Sequence, residues 1–455
     1  MKHVAPALAA FALLVMGPVR PSFEVTHLPK ELVIAVLAAV LVRRFTAARR
    51  FDALDASLIA FGAVTALSAA LALSPALAWR PALLTLATLT IALTVRDVED
   101  RALWLEWLGA AVVVLAVLGL VEGVGLVRWS LAGRAPSSLL GQRNTLAHVL
   151  VLGLVVLCEL AERRKAWWLG VALVAAVVVM TRSRAAWLAA PVMTLVMSLA
   201  SRRPWPVLVV AAGAGVALLL PALPWRAESP YADSFHRLFD AAHGSGAGRL
   251  EQWSGALAAV PAHPVLGVGP GNGQLTLPRE TNRFLNSDAV ALLVERGALG
   301  ALLGLAVAAL LFRRRAAALA AVAVTGAFDA VTQLPAGALL FTCVAFVGLK
   351  RATGPRSESG SWPLAAFFGL GALACALAFA SRLYSTSDDV SFQRLERAVR
   401  LDPTDAFTRL ELVRAQVSAG RCDDARPHLP ALERQLPGQR RARDVLQAFE
   451  NFCGP

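Results

Sequence analysis

The chain has 455 residues, of which 57% are hydrophobic and only 16% charged, with a mean hydropathy of +0.60. A soluble domain carries about 25% charged residues, so these figures exclude a cytosolic enzyme and a disordered chain. Apolar runs recurring along most of the length exclude a single-span receptor. Of the net charge of +13, +12 belongs to the first 381 residues, with 32 basic against 20 acidic groups, whereas residues 382–455 nearly balance, with 12 Arg against 11 acids. That distribution fits membrane topology better than nucleic-acid binding.

A helix needs about 20 apolar residues to cross the hydrocarbon core, and about 17 at the least. In chain order the candidate spans are 4–19, 28–42, 53–73, 78–95, 103–127, 145–160, 167–181, 185–200, 205–222, 287–311, 316–331, 337–349 and 362–381. The second and the twelfth are short enough to be re-entrant, so the expected fold class is an all-α polytopic membrane protein with 12–13 spans. The first run lacks a small-x-small exit and leads into Pro18 and Pro21, so it reads as a span and not as a cleaved signal.

Charge orients the bundle. With Met1 cytoplasmic, the inner segments total 47 residues and hold 18 Lys/Arg, including Arg43-Arg44, Arg163-Arg164-Lys165 and Arg313-Arg314-Arg315. The short outer segments total 44 residues and hold 8. By the positive-inside rule this predicts an inner (cytoplasmic) membrane protein of a bacterium. Residues 1–381 form its membrane domain, with the long loop 223–286 and the tail 382–455 in the periplasm. Cys422 and Cys453 lie in that outer tail, where they either form a disulfide or remain two thiols. Cys158, Cys343 and Cys375 lie in spans and read as core.

The loop 223–286 is too polar to span, and a loop of that length in a tightly connected bundle is usually functional. Leu250, Trp253, Ala256 and Leu257 are helically spaced after the glycine run 244–248, predicting a helix there. Residues 261–273, with three prolines and four glycines, read as turns. The tail reads as helices: one ending at Leu401-Asp402-Pro403, then Ala406–Ser418 stopped by Gly420, then Asp424–Gln435. Pro403 and Pro437 are 34 residues apart, the period of a tetratricopeptide hairpin. Such a tail either recruits a protein partner or caps the membrane domain.

No HExxH, no CxxC pair and no outer Asp-x-Asp occurs in the sequence, so neither a metal nor a cofactor is expected. The arginines on the outer side are more informative, because they oppose the charge bias there. Arg143, Arg182, Arg184 and Arg249 all fall at that face. They either anchor to lipid phosphates or converge on one phosphate-bearing ligand, since a guanidinium stays charged and binds phosphate through paired hydrogen bonds.

Four segments in order resemble the O-antigen ligase / O-antigen polymerase family of membrane glycosyltransferases, over roughly residues 135–350. They are Gly141-Gln142-Arg143-Asn144-Thr145-Leu146-Ala147; Thr181-Arg182-Ser183-Arg184-Ala185; Gly248-Arg249-Leu250-Glu251-Gln252-Trp253 with His263-Pro264-Val265-Leu266-Gly267-Val268-Gly269; and Asn286-Ser287-Asp288 through Glu295-Arg296-Gly297. The resemblance implies a GT-C-like membrane domain. It also implies glycan transfer, without a metal, from a polyprenyl (undecaprenyl) diphosphate carrier to a lipid A-core, polysaccharide or protein acceptor. It assigns Arg184 and Arg249 to the diphosphate. Arg143, Asn144, Arg182 and Asn286 go to substrate binding, and Glu295 and Gly297 to the helix after the loop. The family's histidine at the start of the fourth segment is Asn286 here, and asparagine cannot take a proton near neutral pH. Asp288 is the expected catalytic substitute, with its structural alternative a first-turn acid on the tenth span; His236, His243 and His263 are other candidates from the loop. Two further readings stay open. One is a catalytically inert relative that binds lipid-linked glycan and recruits partners through 382–455. The other is a lipid or glycan transporter, although Glu122 and Asp329, the intramembrane acids left after Glu106 and Glu159 pair near the inner face, are too few for a cation relay.

Overall fold

The computed structural model describes residues 3–16, 23–42, 51–96, 98–127, 135–219, 231, 245–277, 285–349, 361–385 and 391–454. Among them every regular element is helical. In chain order these are α1 (Val4–Leu14), α2 (Phe23–Val42), α3 (Ala53–Ala70), α4 (Pro75–Val95), α5 (Arg101–Gly123), α6 (Arg143–Arg163), α7 (Trp167–Met180), α8 (Arg184–Ser201) and α9 (Trp205–Leu219). They continue as α10 (Ser245–Leu257), α11 (Asp288–Phe328), α12 (Pro335–Phe346) and α13 (Trp362–Ser385). The tail adds α14 (Phe392–Leu401), α15 (Ala406–Ser418), α16 (Cys422–Ala425), α17 (Leu429–Gln435) and α18 (Arg440–Cys453). Seven described helices, α3, α4, α5, α6, α8, α11 and α13, are long and apolar enough to cross a membrane. The protein is a polytopic helical membrane protein, and each predicted span overlaps a described helix.

Local chemistry sets several boundaries. Asp52 accepts from the Asp55 amide at 2.9 Å while Asp55 accepts from the Asp52 amide at 3.4 Å, a reciprocal cap that starts α3. Asp100 caps α5 through the Leu103 amide, and Ser287 caps α11 through the Val290 amide. The predicted span 287–311 is corrected: α11 is three arms, broken at Gly297 (φ 65°, ψ −170°) and again at Arg315. A β-carbon on Gly304 would meet Leu292 Cδ2 at 2.8 Å, so the arms before and after Gly297 pack as a hairpin.

The centre of the bundle is α6, whose apolar residues from Leu146 to Ala161 are nearly all buried. It lies among α5, α7, α8 and α12, so it has no solvent or lipid face to carry polar residues, and any that it does carry must be satisfied inside.

One end of the bundle consumes its arginines structurally. Arg96 pairs with Asp52 and with the fully buried Asp55. Arg101 grips Glu159 through two bonds of 2.8 Å, and Arg164 meets Glu106 at 3.3 Å. Arg101 and Arg315 also donate to the last carbonyls of α12 and to Val347. Guanidinium groups there satisfy orphan acceptors at the negative end of a helix dipole. At the same end Gly348 donates to Val95, closing the bundle.

The opposite end carries the loop helix and the tail. Leu73 donates to Val268, and Ser74 donates to the Asn272 side chain. The tail has its own core around Leu410, Val413, Leu432 and Phe449, against which Leu77 and Leu275 pack. Cys422 and Cys453 are joined by a disulfide. Helix α15 has the predicted bounds, while the predicted 424–435 helix is broken by a 3-10 turn over Arg426–His428, where Pro427 removes an amide donor.

Candidate functional site

The site forms where four elements meet at the tail-bearing end. Asn144 lies in the first turn of α6 and His148 one turn later, on the same face. Ser183 is the residue before α8, Arg249 lies on α10, and Asp329 follows the last arm of α11. Asp329 Oδ2 is the meeting point. It accepts from Asn144 Nδ2 at 3.0 Å, faces the Arg249 guanidinium at 3.6 Å, and lies 4.0 Å from His148 Nε2. The other oxygen, Oδ1, accepts from the Ala330 amide at 2.9 Å. Ser183 Oγ stands 3.5 Å from His148 Nε2, and His148 Nδ1 has no hydrogen-bond partner. His148 is 2% exposed, so it backs the site from behind and does not line it. The Arg249 and Asp329 side chains are 18% and 11% exposed.

Helix α10 explains how Arg249 reaches there. Arg249, Gln252 and Trp253 share one helical face, and all three are engaged. Gln252 accepts from the Asn286 amide at 3.0 Å, and Trp253 Nε1 donates to the Asn286 carbonyl at 3.3 Å. The Trp253 ring also lies 6.4 Å from that of Phe328, the neighbour of Asp329. The third motif therefore aims its arginine by gripping the first residue of the fourth.

The remaining motif residues build the frame. The turns 264–269 wrap the apex of the α11 hairpin, with Val268 donating to Val294, Gly269 to Glu295 and Ala298 to Pro264. At Gly297, in the left-handed region, a β-carbon would stand 2.2 Å from the Val265 carbonyl oxygen. Only glycine fits both the dihedral and the space. Arg296 turns inward to Thr65 at 3.3 Å and Thr85 at 2.9 Å. Glu295 and Gly297 thus shape the hairpin, in keeping with the role the resemblance gives them.

Asp288, expected as the base, is engaged otherwise. Its carboxylate accepts from the amides of Val331 (3.1 Å) and Thr332 (2.9 Å) and from Gln333 Nε2 (3.2 Å). It clasps the loop that carries Asp329, so the structural alternative describes it better. His263 accepts through its carbonyl from Gly267 and closes a turn, while His236 and His243 lie outside the described residues. Arg143 stands beside Asn144, and Arg182 and Arg184 flank Ser183; all three side chains are half-buried. Arg182 lies 6.0 Å from the Tyr231 ring. Glu122 holds the Ser138 amide at 2.8 Å. Among the described residues no three His, Cys, Asp or Glu groups come together as a metal set.

Sequence reasoning missed His148 and treated Asp329 only as a stray membrane acid. Their signal was present: Asn144 and His148 are one turn apart in an otherwise apolar helix, and unpaired intramembrane acids mark functional sites by default.

A multi-span helical protein with a polar, arginine-bearing site at one end is the class that fold and geometry define. Residues 169–303 match the family model described as O-antigen ligase. The match covers less than a third of the chain; over those residues it supports the resemblance to the O-antigen ligase and polymerase family and, with it, a role in glycan transfer in general. No curated protein matches the sequence. The matched segment contains Arg182, Arg184, Arg249, Asn286 and Asp288, whereas Asn144, His148 and Asp329 lie outside it.

Proposed function

We propose that the chain moves a glycan from a polyprenyl diphosphate carrier to an acceptor hydroxyl, at the Asp329 end of the bundle and on the periplasmic side of the inner membrane. The observation that carries this is the convergence of Arg249 and Asn144 on one carboxylate oxygen. A diphosphate arriving at Arg249 competes with Asp329 for the guanidinium and leaves Asp329 Oδ2 available. The acceptor's hydroxyl proton then passes to Asp329 as its oxygen bonds to the anomeric carbon. The bond from that carbon to the diphosphate breaks, and the electron pair leaves on the diphosphate, stabilised by Arg249 and Arg184. Arg143 and Arg182 stand close enough in sequence to extend the phosphate contacts, and His148 and Asn144 keep Asp329 oriented. The acceptor is a lipid A-core, a growing polysaccharide or a protein. The disulfide at the same end supports an oxidising compartment for that face.

Transfer from a polyprenyl-diphosphate-linked glycan, read as acceptor mobility on a gel, tests the proposal. Arg249→Ala and Arg184→Ala each abolish transfer while membrane insertion is retained; wild-type transfer in both refutes the clamp. Asn286 favours a second reading, an inert relative that holds lipid-linked glycan and recruits a partner through residues 382–455. Under it the wild-type chain transfers nothing and Asn286→His gains activity.

A further inference from the structure

The middle arm of α11, residues 298–312, runs from the apex of the hairpin to Arg313-Arg314-Arg315 and carries exposed apolar side chains, Leu302 at 64% among them. Its 15 residues rise about 22 Å, whereas the hydrocarbon core of a bilayer is about 30 Å thick. Some apolar depth, about 8 Å, is therefore left above Leu299. What stands there is the turn that follows α10. The Leu299 amide donates to the Val265 carbonyl and the Ala298 amide to that of Pro264, so the turn sits directly on the end of the arm. Ser68 donates to the Leu266 carbonyl at 2.7 Å, which brings the end of α3 to the same place. The outward side chains of this region are apolar: Val265 is 58% exposed, and Leu257 and Leu71 are exposed as well. In the 27 residues 252–278 the one ionisable side chain is His263.

Hydrocarbon tolerates irregular backbone only where its polar groups are satisfied. Pro261 and Pro264 have no N–H to satisfy. The amides of Ala262, His263, Gly267 and Val268 donate to the carbonyls of Ala259, Val260, His263 and Val294. The carbonyls of Pro264, Val265 and Leu266 all accept. From the short arm, the uncharged run and this satisfied backbone we infer that residues 261–266, with the end of α10, are embedded among lipid acyl chains. The loop 223–286 thus has an apolar tip seated in the leaflet at the site-bearing end, continuous with the lipid face of α11. Nothing in this depends on the proposed transfer reaction. Its consequence does: Arg249 lies two turns before Leu257 on α10, so the bilayer itself sets the depth at which that guanidinium meets a membrane-borne diphosphate.

The test reconstitutes the full chain in phosphatidylcholine vesicles and labels single introduced cysteines with the fluorophore NBD. Cys158, Cys343 and Cys375 are buried and the other two cysteines form the disulfide, so the unmodified chain takes up little label. Val265→Cys and Ala262→Cys report on the turn, Leu302→Cys on the lipid face and Glu433→Cys on the aqueous tail. All four replaced side chains are exposed, and an intact disulfide with a single gel-filtration peak certifies each fold. At 262 and 265, doxyl-labelled acyl chains quench the probe as they do at 302, and aqueous iodide quenches it about fivefold less than at 433. Iodide quenching at 262 and 265 equal to that at 433 would put the turn in water and overturn the inference. A probe shielded from both quenchers would overturn it too, because protein, a second copy or another chain, would then cover the patch.

Discussion

The two ends of the bundle use arginine in opposite ways. At one end Arg96, Arg101 and Arg315 meet dedicated carboxylates or the last carbonyls of α12. At the other, a single oxygen of Asp329 serves Asn144 and Arg249 together, at 3.0 and 3.6 Å. A guanidinium with a private partner is architecture. One that shares its partner at longer range is ready to exchange it for a ligand. The difference lies in partner number and distance, and both ends contain clustered arginines in the sequence.

Substitutions can break this contrast. The largest effect is expected at the Asp329 end: Asp329→Asn keeps the shape and removes the proton acceptor, lowering transfer about 10²–10⁴-fold. Arg249→Ala costs about 10²–10³-fold through lost charge stabilisation, with unchanged thermal unfolding. At the Arg96 end the sign of the result changes. Asp55→Ala leaves the buried Arg96 with Asp52 as its one remaining carboxylate partner and costs about 1–3 kcal/mol of stability, seen as a lower unfolding temperature, while protein that remains folded transfers normally. If Asp55→Ala instead impaired transfer at full stability, the division between the ends would fail.

The remaining effects belong to the tail. Cys422→Ser opens a link spanning 31 residues and removes about 2–4 kcal/mol; limited proteolysis then cuts the tail first. The smallest concerns His428, which burial and the neighbouring Arg409 hold below its ordinary value. Its folded form binds protons less readily than its unfolded form, so tail stability is complete above the ordinary histidine range near 6.5. It declines as the pH falls through that value towards the lower folded pKa. Unfolding of the tail between pH 7 and 5 measures this, and His428→Gln flattens the dependence.

Much of the fold was legible because membrane helices obey two coarse rules, length and charge placement. Helix α15 and the helix after the glycine run were equally plain, from apolar spacing and helix-stopping residues. The break at Gly297 was not, since its cause is a carbonyl at Val265 from a distant turn. For the site, the arginines and Asn144 were carried by short motifs. Asp329 and His148 were hidden because their partners come from helices remote in sequence. Asp288 misled for the same reason: proximity to Asn286 along the chain said nothing of the Val331 and Thr332 amides that occupy it.

The most direct measurement is the affinity of the full chain for a short polyprenyl diphosphate, such as geranylgeranyl diphosphate, in wild-type, Arg249→Ala and Asp329→Asn forms. Arg249→Ala should weaken binding at least tenfold. Asp329→Asn should bind as tightly as wild type or more so, because it frees the guanidinium, even though its transfer is lost. Equal weakening in both variants would contradict an exchange of Arg249 between carboxylate and phosphate.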